Sequence, residues 1–215
     1  MIVALAGASG LTGGFCLEYL LQDTKISKVI SIGRKPLQII HPKLEQVLLV
    51  ENKLHTPIKA DAFISCLGTT IKKAGSKAVM ESIDRILPVH IAQQLFMNGC
   101  KTVAIVSAMG ANATSAIFYN RLKGQTENDL LEIGFEALHI LRPSIIDGNR
   151  IENRKGEHFF LKVIKFMHPI MVGGFRHYKA IEASTIAQAL VHCIHLPAKG
   201  HFAYLSDDIK KMVSN

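Results

Sequence analysis

Tyr119 and Lys123 stand four residues apart in the stretch Tyr119-Asn-Arg-Leu-Lys123. On a helix that spacing puts a phenol and an ammonium on one face, a turn apart. A free phenol, with a pKa of about 10, is a poor acid–base group at neutral pH. An ammonium held nearby favours the phenolate and makes the pair a plausible general acid/base. Ser107 ends the apolar run Val103-Ala-Ile-Val-Ser107, followed by Ala-Met-Gly110. If that run is a strand of an open α/β sheet, Ser107 faces the ligand crevice, where a hydroxyl can orient a substrate oxygen. Ser107, Tyr119 and Lys123 are therefore the candidate catalytic set.

Such a set needs a partner with redox chemistry, and the start of the chain offers a place for one. Met1-Ile-Val-Ala-Leu-Ala runs straight into Gly7-Ala-Ser-Gly10-Leu-Thr-Gly13. After a strand and before a helix, Gly7 permits a tight turn, Gly10 lets backbone approach a pyrophosphate, and Gly13 lets the helix pack close. The helix start then offers free N–H groups and a partial positive charge, with Ser9, Leu11 and Thr12 completing the cradle. An NAD-preferring fold usually carries an acidic residue after the second strand. Here that stretch is Ser31-Ile-Gly-Arg34-Lys35, which would attract a 2′-phosphate instead. The expected cofactor is NADP(H) in preference to NAD(H), which stays possible. Cys66, Leu67, Gly68 and Thr69 end a further apolar run and are placed beside it, with Cys66 read as a small buried residue rather than a nucleophile. Lys72 and Lys73 follow, as closing charges or ordinary solvated ones.

The 215 residues suffice for one domain with a sizeable core, and 48% of them are apolar. A formal charge of +8 favours anionic partners. The Lys and Arg residues are spread along the chain without aromatic interleaving, so nucleic acid is not expected. Four scattered cysteines (Cys16, Cys66, Cys100, Cys193) fit neither a disulfide framework nor a zinc site. The ten histidines show no ligand spacing, and no metal is expected. The opening lacks the charged start and long apolar run of a signal peptide, and no stretch has the length of a membrane span. These features give the expectation of a soluble, cytoplasmic protein.

Short Val/Ile/Ala runs alternating with amphipathic stretches predict an α/β sheet covered on both faces. Strands are expected at 2–6, 28–32, 46–50, 62–66, 102–106 and 137–141, and helices at 11–21, 80–97 and 117–133. Beyond Pro143 the pattern loosens. Helices are expected at 157–167 and 183–195, forming a small lobe over the carboxyl ends of the strands. Arg150 and Arg154 could meet an acidic substrate or partner. The basic, apolar stretch 158–167 reads as core or lid, a dimer contact or a membrane-surface contact.

With these residues in view, the chain resembles the atypical short-chain dehydrogenase/reductase superfamily. The runs FISCLGTTIKKAGSKAVMESID, VSAMGAN, FYNRLKG and LRPSIIDGNR look like its Tat-interacting-protein-like subgroup, over roughly residues 1–190. The resemblance implies a Rossmann-type doubly wound parallel sheet, bound NADP(H) and a Ser/Tyr/Lys site. It also implies a role for Lys123 in holding the nicotinamide ribose and for Pro143 in lining the nicotinamide side. Two positions depart from the pattern. Ala108 stands where many relatives have a second serine, leaving Ser115 as a possible substitute, and Asp84 stands where many enzymes have an asparagine. The expected unit is one NAD(P)-binding domain, 1–215, with 143–215 contributing a small substrate or lid region. Two functions stay open: an oxidoreductase acting on a small carbonyl or alcohol, and a cofactor-binding redox-sensing regulator or scaffold with a protein partner. A homodimer is compatible with either.

Overall fold

The computed structural model describes residues 1–147 and 180–214. Its centre is a sheet of seven parallel strands: β1 (Ile2–Ala6), β2 (Lys28–Gly33), β3 (Leu44–Leu48), β4 (Ala62–Ser65), β5 (Thr102–Val106), β6 (Ala137–Arg142) and, last in the chain, β9 (Gly200–Leu205). The order is β3-β2-β1-β4-β5-β6-β9, so the order reverses at β1, as in a doubly wound Rossmann sheet. A separate parallel pair joins β7 (Ile146–Asp147) to β8 (Ile181–Glu182).

Strand side chains alternate between two apolar layers. Val3 and Leu5 of β1 join Val29 and Ile64 beneath α1 (Leu11–Gln22) and α6 (Ala183–Cys193), with Ile209 of α7 (Ser206–Val213) closing that layer. Ala4 and Ala6 face the opposite side with Phe63, Val103 and Ile140. There α4 (Leu87–Met97) supplies Ile91 and Leu95, and α5 (Phe118–Ile133) supplies Leu130. This two-sided burial explains the continuous apolar runs of the central strands.

Four details differ from the sequence expectations. First, β3 starts two residues earlier than expected. It is an edge strand, where only part of the pattern is apolar. Second, β9 went unforeseen for the same reason: His201-Phe-Ala-Tyr-Leu alternates in burial at the other edge. Third, α6 does not lie over the strand ends. Its Ile186 and Leu190 pack with Leu17 and Leu20 of α1 on the sheet face, because an all-apolar helix face is best buried against the sheet. Fourth, the helix expected at 80–97 is three segments: α3 (Lys77–Glu81), a π-helical turn (Ser82–Ile86) and α4. Pro88 is the cause. It has no N–H for the carbonyl of Asp84 and its ring crowds that carbonyl, so the turn widens and Leu87 N–H bonds Ser82 O instead. A short α2 (Ile71–Ala74) precedes α3, capped by the Thr70 hydroxyl and ended by Gly75 in the left-handed region. The expected helix at 157–167, with Arg150 and Arg154, lies outside the described residues.

Candidate functional site at the carboxyl ends of the strands

The turn between β1 and α1 accepts only glycine at two points. Gly7 has φ +89°, and a Cβ there would lie 2.8 Å from the carbonyl carbon and oxygen of Cys66. A Cβ on Gly13 would lie 2.0 Å from Gly7 O. The helix start is thus pressed onto the turn. Gly10 N–H closes the loop onto Gly7 O at 2.9 Å. The first turn of α1 holds no acidic residue, and its cap position, Gly10, brings no side chain to its N–H groups. Those donors carry the positive end of the helix dipole. Ser9, Gly10 and Leu11 are exposed and Thr12 half-buried, so the cradle opens outward. Arg34 and Lys35 follow β2, the neighbour of β1, and both are exposed.

Across the switch point, Cys66, Leu67, Gly68 and Thr69 follow β4. Thr69 N–H donates to Asp84 Oδ1 at 2.8 Å. The other oxygen, Oδ2, faces Lys123 Nζ at 3.0 Å as an ion pair rather than an aligned hydrogen bond. The two side chains are 1% and 7% exposed. Gly68 lies against this pair, its missing Cβ 3.7 Å from Asp84 Oδ2 and 3.8 Å from Lys123 Nζ. The carbonyl of Asp84, to which Pro88 brings no N–H, receives the Thr126 hydroxyl at 3.2 Å. One proline therefore opens the turn, and one threonine ties that turn to α5.

Tyr119 and Lys123 do share a face of α5. Tyr119 is 40% exposed, and Lys123 Nζ stands 5.9 Å from its ring centroid. Ser107 is buried just beyond β5, where the sequence placed it. A cavity of about 10 Å³, room for about one water, is lined by Ser65, Asp84, Ser107, Lys123 and Thr126. The structure thus brings Ser107 and Lys123 to one cavity. Pro143 is buried after β6, and its carbonyl accepts from Met109 N at 3.0 Å. Ser115 Oγ accepts from Ile117 N–H at 3.2 Å and braces the entry to α5.

Glu127 was not singled out by its sequence context. It is buried one turn after Lys123 and accepts the Ser107 hydroxyl proton through Oε1. Arg142 Nε donates to the same oxygen at 3.1 Å, and a terminal Arg142 nitrogen pairs with Oε2. That bonded carboxylate raises the guanidinium further above its ordinary range. The available signal was the i, i+4 step from Lys123 to Glu127, which puts both on the inward face. Gly124 between them is pressed on the Asn112–Ala113 backbone, its missing Cβ 2.2 Å from Ala113 N.

The HIM1 family matches residues 26–170, which is most of the chain. The chain belongs to the HIM1 family. FMP52, mitochondrial, of Eremothecium gossypii is 33% identical over 159 residues, covering 73% of this chain and 71% of its own. The fmp52 protein of Aspergillus clavatus is 32% identical over 201 residues, covering 88% and 85%. Rat HTATIP2 is 29% identical over 212 residues, covering 95% and 86%. The HIM1 match and the likeness to HTATIP2 agree with the Tat-interacting-protein-like subgroup that the motifs implied. Solved structures share the fold. MoeE5 in complex with UDP-glucose and NAD matches with TM-score 0.70 at 15% identity, covering 100% of this chain and 80% of MoeE5. Human SDR39U1 with NADPH matches with TM-score 0.62 at 14% identity, covering 96% and 74%.

The relatives also correct one expectation. The FMP52 proteins are named mitochondrial, which conflicts with the cytoplasmic location expected from the opening residues and from the lack of a stretch long enough to span a membrane. Those residues form a core strand and its turn, and such a strand carries no information about compartment. No helix among the described residues is long and apolar enough to cross a membrane.

Proposed function

We propose that this HIM1-family chain binds NADP(H), with NAD(H) as the weaker alternative, and interconverts a small carbonyl compound and its alcohol. The observation that carries the proposal is the burial of Lys123 beside Asp84, one helical turn from Tyr119 and on the same cavity as Ser107. Charged lysines are rarely sealed so fully without a task. The cradle fits a dinucleotide: only glycine is tolerated at Gly7 and Gly13, and the α1 donors are uncapped. Arg34 and Lys35, exposed after β2, would meet a ribose 2′-phosphate. Cys66, Leu67, Gly68 and Thr69 would line the opposite wall, and Pro143 the nicotinamide side.

When bound, the nicotinamide supplies or accepts the hydride. The chain's residues handle the proton and the geometry. Tyr119 Oη gives a proton to the carbonyl oxygen in reduction and takes it back in oxidation. Lys123 has three N–H donors, so one can face Asp84 while others reach a ribose hydroxyl. Ser107, its own proton held by Glu127, offers lone pairs that accept from a substrate hydroxyl.

NADPH consumption against a panel of small aldehydes and ketones tests this, with Tyr119→Phe as the comparison. Turnover should fall about 10²-fold or more while NADPH affinity holds. Equal turnover in both proteins refutes the role of Tyr119. Tight binding without turnover in either favours a second reading, a cofactor-binding regulator. That reading is supported by Ala108 and by the commitment of the Ser107 proton to Glu127.

A further inference from the structure

Cys16 Sγ and Cys66 Sγ lie 3.6 Å apart, although 50 residues separate them in sequence. Cys16 sits in α1, one turn beyond Gly13, and is fully buried. Cys66 follows β4, is half-buried, and its carbonyl is the surface on which Gly7 rests. The two sulfurs thus span the two elements that hold the glycine turn. A disulfide needs about 2.05 Å between sulfurs, so closure asks for a displacement of roughly 1.5 Å. The other two cysteines differ. Cys100 Sγ faces the carbonyls of Asp61 and Thr102 at 3.7 and 3.5 Å, and Cys193 is buried under the sheet face. Burial pushes both of their thiols up to about 12.

We infer that Cys16 and Cys66 form a reversible dithiol/disulfide site, oxidised by low-molecular-weight disulfides of the glutathione class, at the base of the cofactor cradle. The half-buried Cys66 is the attacking group. Its thiolate bonds one sulfur of the oxidant and expels the other as a thiolate, which takes up the proton Cys66 lost. The Cys16 sulfur then attacks Cys66, breaks the mixed disulfide and releases the second thiol, which receives the Cys16 proton. Two electrons pass from the pair to the oxidant, giving one protein disulfide and two small thiols. Cys16 suits the resolving role. Its hydrogen bond with Cys66, its burial and the charge of Cys66 hold its thiol well above the ordinary range, so it reacts only with a sulfur placed against it. Oxidation clamps α1 to the end of β4. A dinucleotide in the cradle in turn covers the approach to Cys66, an effect that rests on the cofactor reading above.

The full-length protein, reduced and then held in oxidised glutathione, tests this by acid quenching, alkylation of remaining thiols and peptide mass mapping without reductant. The expected product retains two alkylatable thiols, at Cys100 and Cys193, and links the Cys16 and Cys66 peptides. Four alkylatable thiols, a lasting glutathione adduct at Cys66, or a link through Cys100 or Cys193 would overturn the proposal. Cys16→Ala should stop at the glutathione adduct on Cys66, and an unmodified Cys66 there refutes its attacking role. If that variant fails to fold by circular dichroism, the parent peptide map decides alone. NADPH at ten times its Kd should slow oxidation about tenfold. NADPH that binds without slowing it refutes the coupling. If NADPH shows no binding by fluorescence, the cofactor reading falls and the disulfide result stands by itself.

Discussion

Asp84 Oδ2 and Lys123 Nζ meet at 3.0 Å in a place almost closed to water, and the other Asp84 oxygen holds the N–H of Thr69. The pair links the loop after β4, the π-helical turn and α5. Removing one partner leaves the other charged and unpaired, which is the costly way to break a buried ion pair. Asp84→Ala should therefore lower stability in urea by ~3–5 kcal/mol. The double variant Asp84→Ala/Lys123→Met should recover part of that loss. A double variant no more stable than the single one would show that the pair is not the source.

Arg34→Glu addresses cofactor choice. A charge-assisted hydrogen bond is worth ~1.5–3 kcal/mol. Replacing the exposed guanidinium by a carboxylate should weaken NADP(H) by roughly ten- to a hundredfold more than NAD(H). Fluorescence titration of both cofactors reads this directly, and an equal loss for the two excludes a phosphate contact at Arg34.

Gly13→Ala probes the cradle. The added methyl meets Gly7 O at 2.0 Å, and the atoms it strikes are backbone, which cannot turn aside. The helix must move off the turn. Overpacking of this kind costs ~1–3 kcal/mol, so the melting temperature should fall along with dinucleotide affinity. Parent-like melting and binding together would mean that α1 does not press on the turn.

His139 sets a pH limit on stability. It is fully buried on β6, stacks against both Phe202 and Tyr204 of β9, and holds the Tyr204 hydroxyl at 3.0 Å through Nδ1. Its Nε2 has no hydrogen-bond partner among the described residues. Burial, helped by the charge of His192, pulls its pKa down to about 4 from an ordinary 6.5. The fold therefore prefers the neutral ring. That preference contributes fully above pH 6.5 and is lost as pH falls from about 6.5 towards 4, a change of about 3 kcal/mol. Urea midpoints across that window should show the slope, and His139→Phe should flatten it. An unchanged slope in the variant places the acid sensitivity elsewhere.

Local pattern carried most of the architecture. The run Ile2–Ala6, its glycines and the helix after them are legible because strand, turn and helix each depend on near neighbours in the chain. The same holds for the five further strand regions foreseen and for the one-turn spacing of Tyr119 and Lys123. Edge strands broke the pattern. β9 alternates in exposure because, among the described residues, only one of its sides is covered, and that is a property of its place at the sheet edge.

The sequence by itself determined the fold class, the strand-end placement of the candidate residues and the family motifs, since hydrophobic period and glycine placement act over a few residues. Tertiary structure alone decided the partners. Asp84 reached Lys123, Glu127 came between Ser107 and Arg142, and Cys16 met Cys66. The reason is physical: a buried charge or thiol takes whichever group the neighbouring strands and helices deliver within about 3–4 Å, and no spacing along the chain states which one that is.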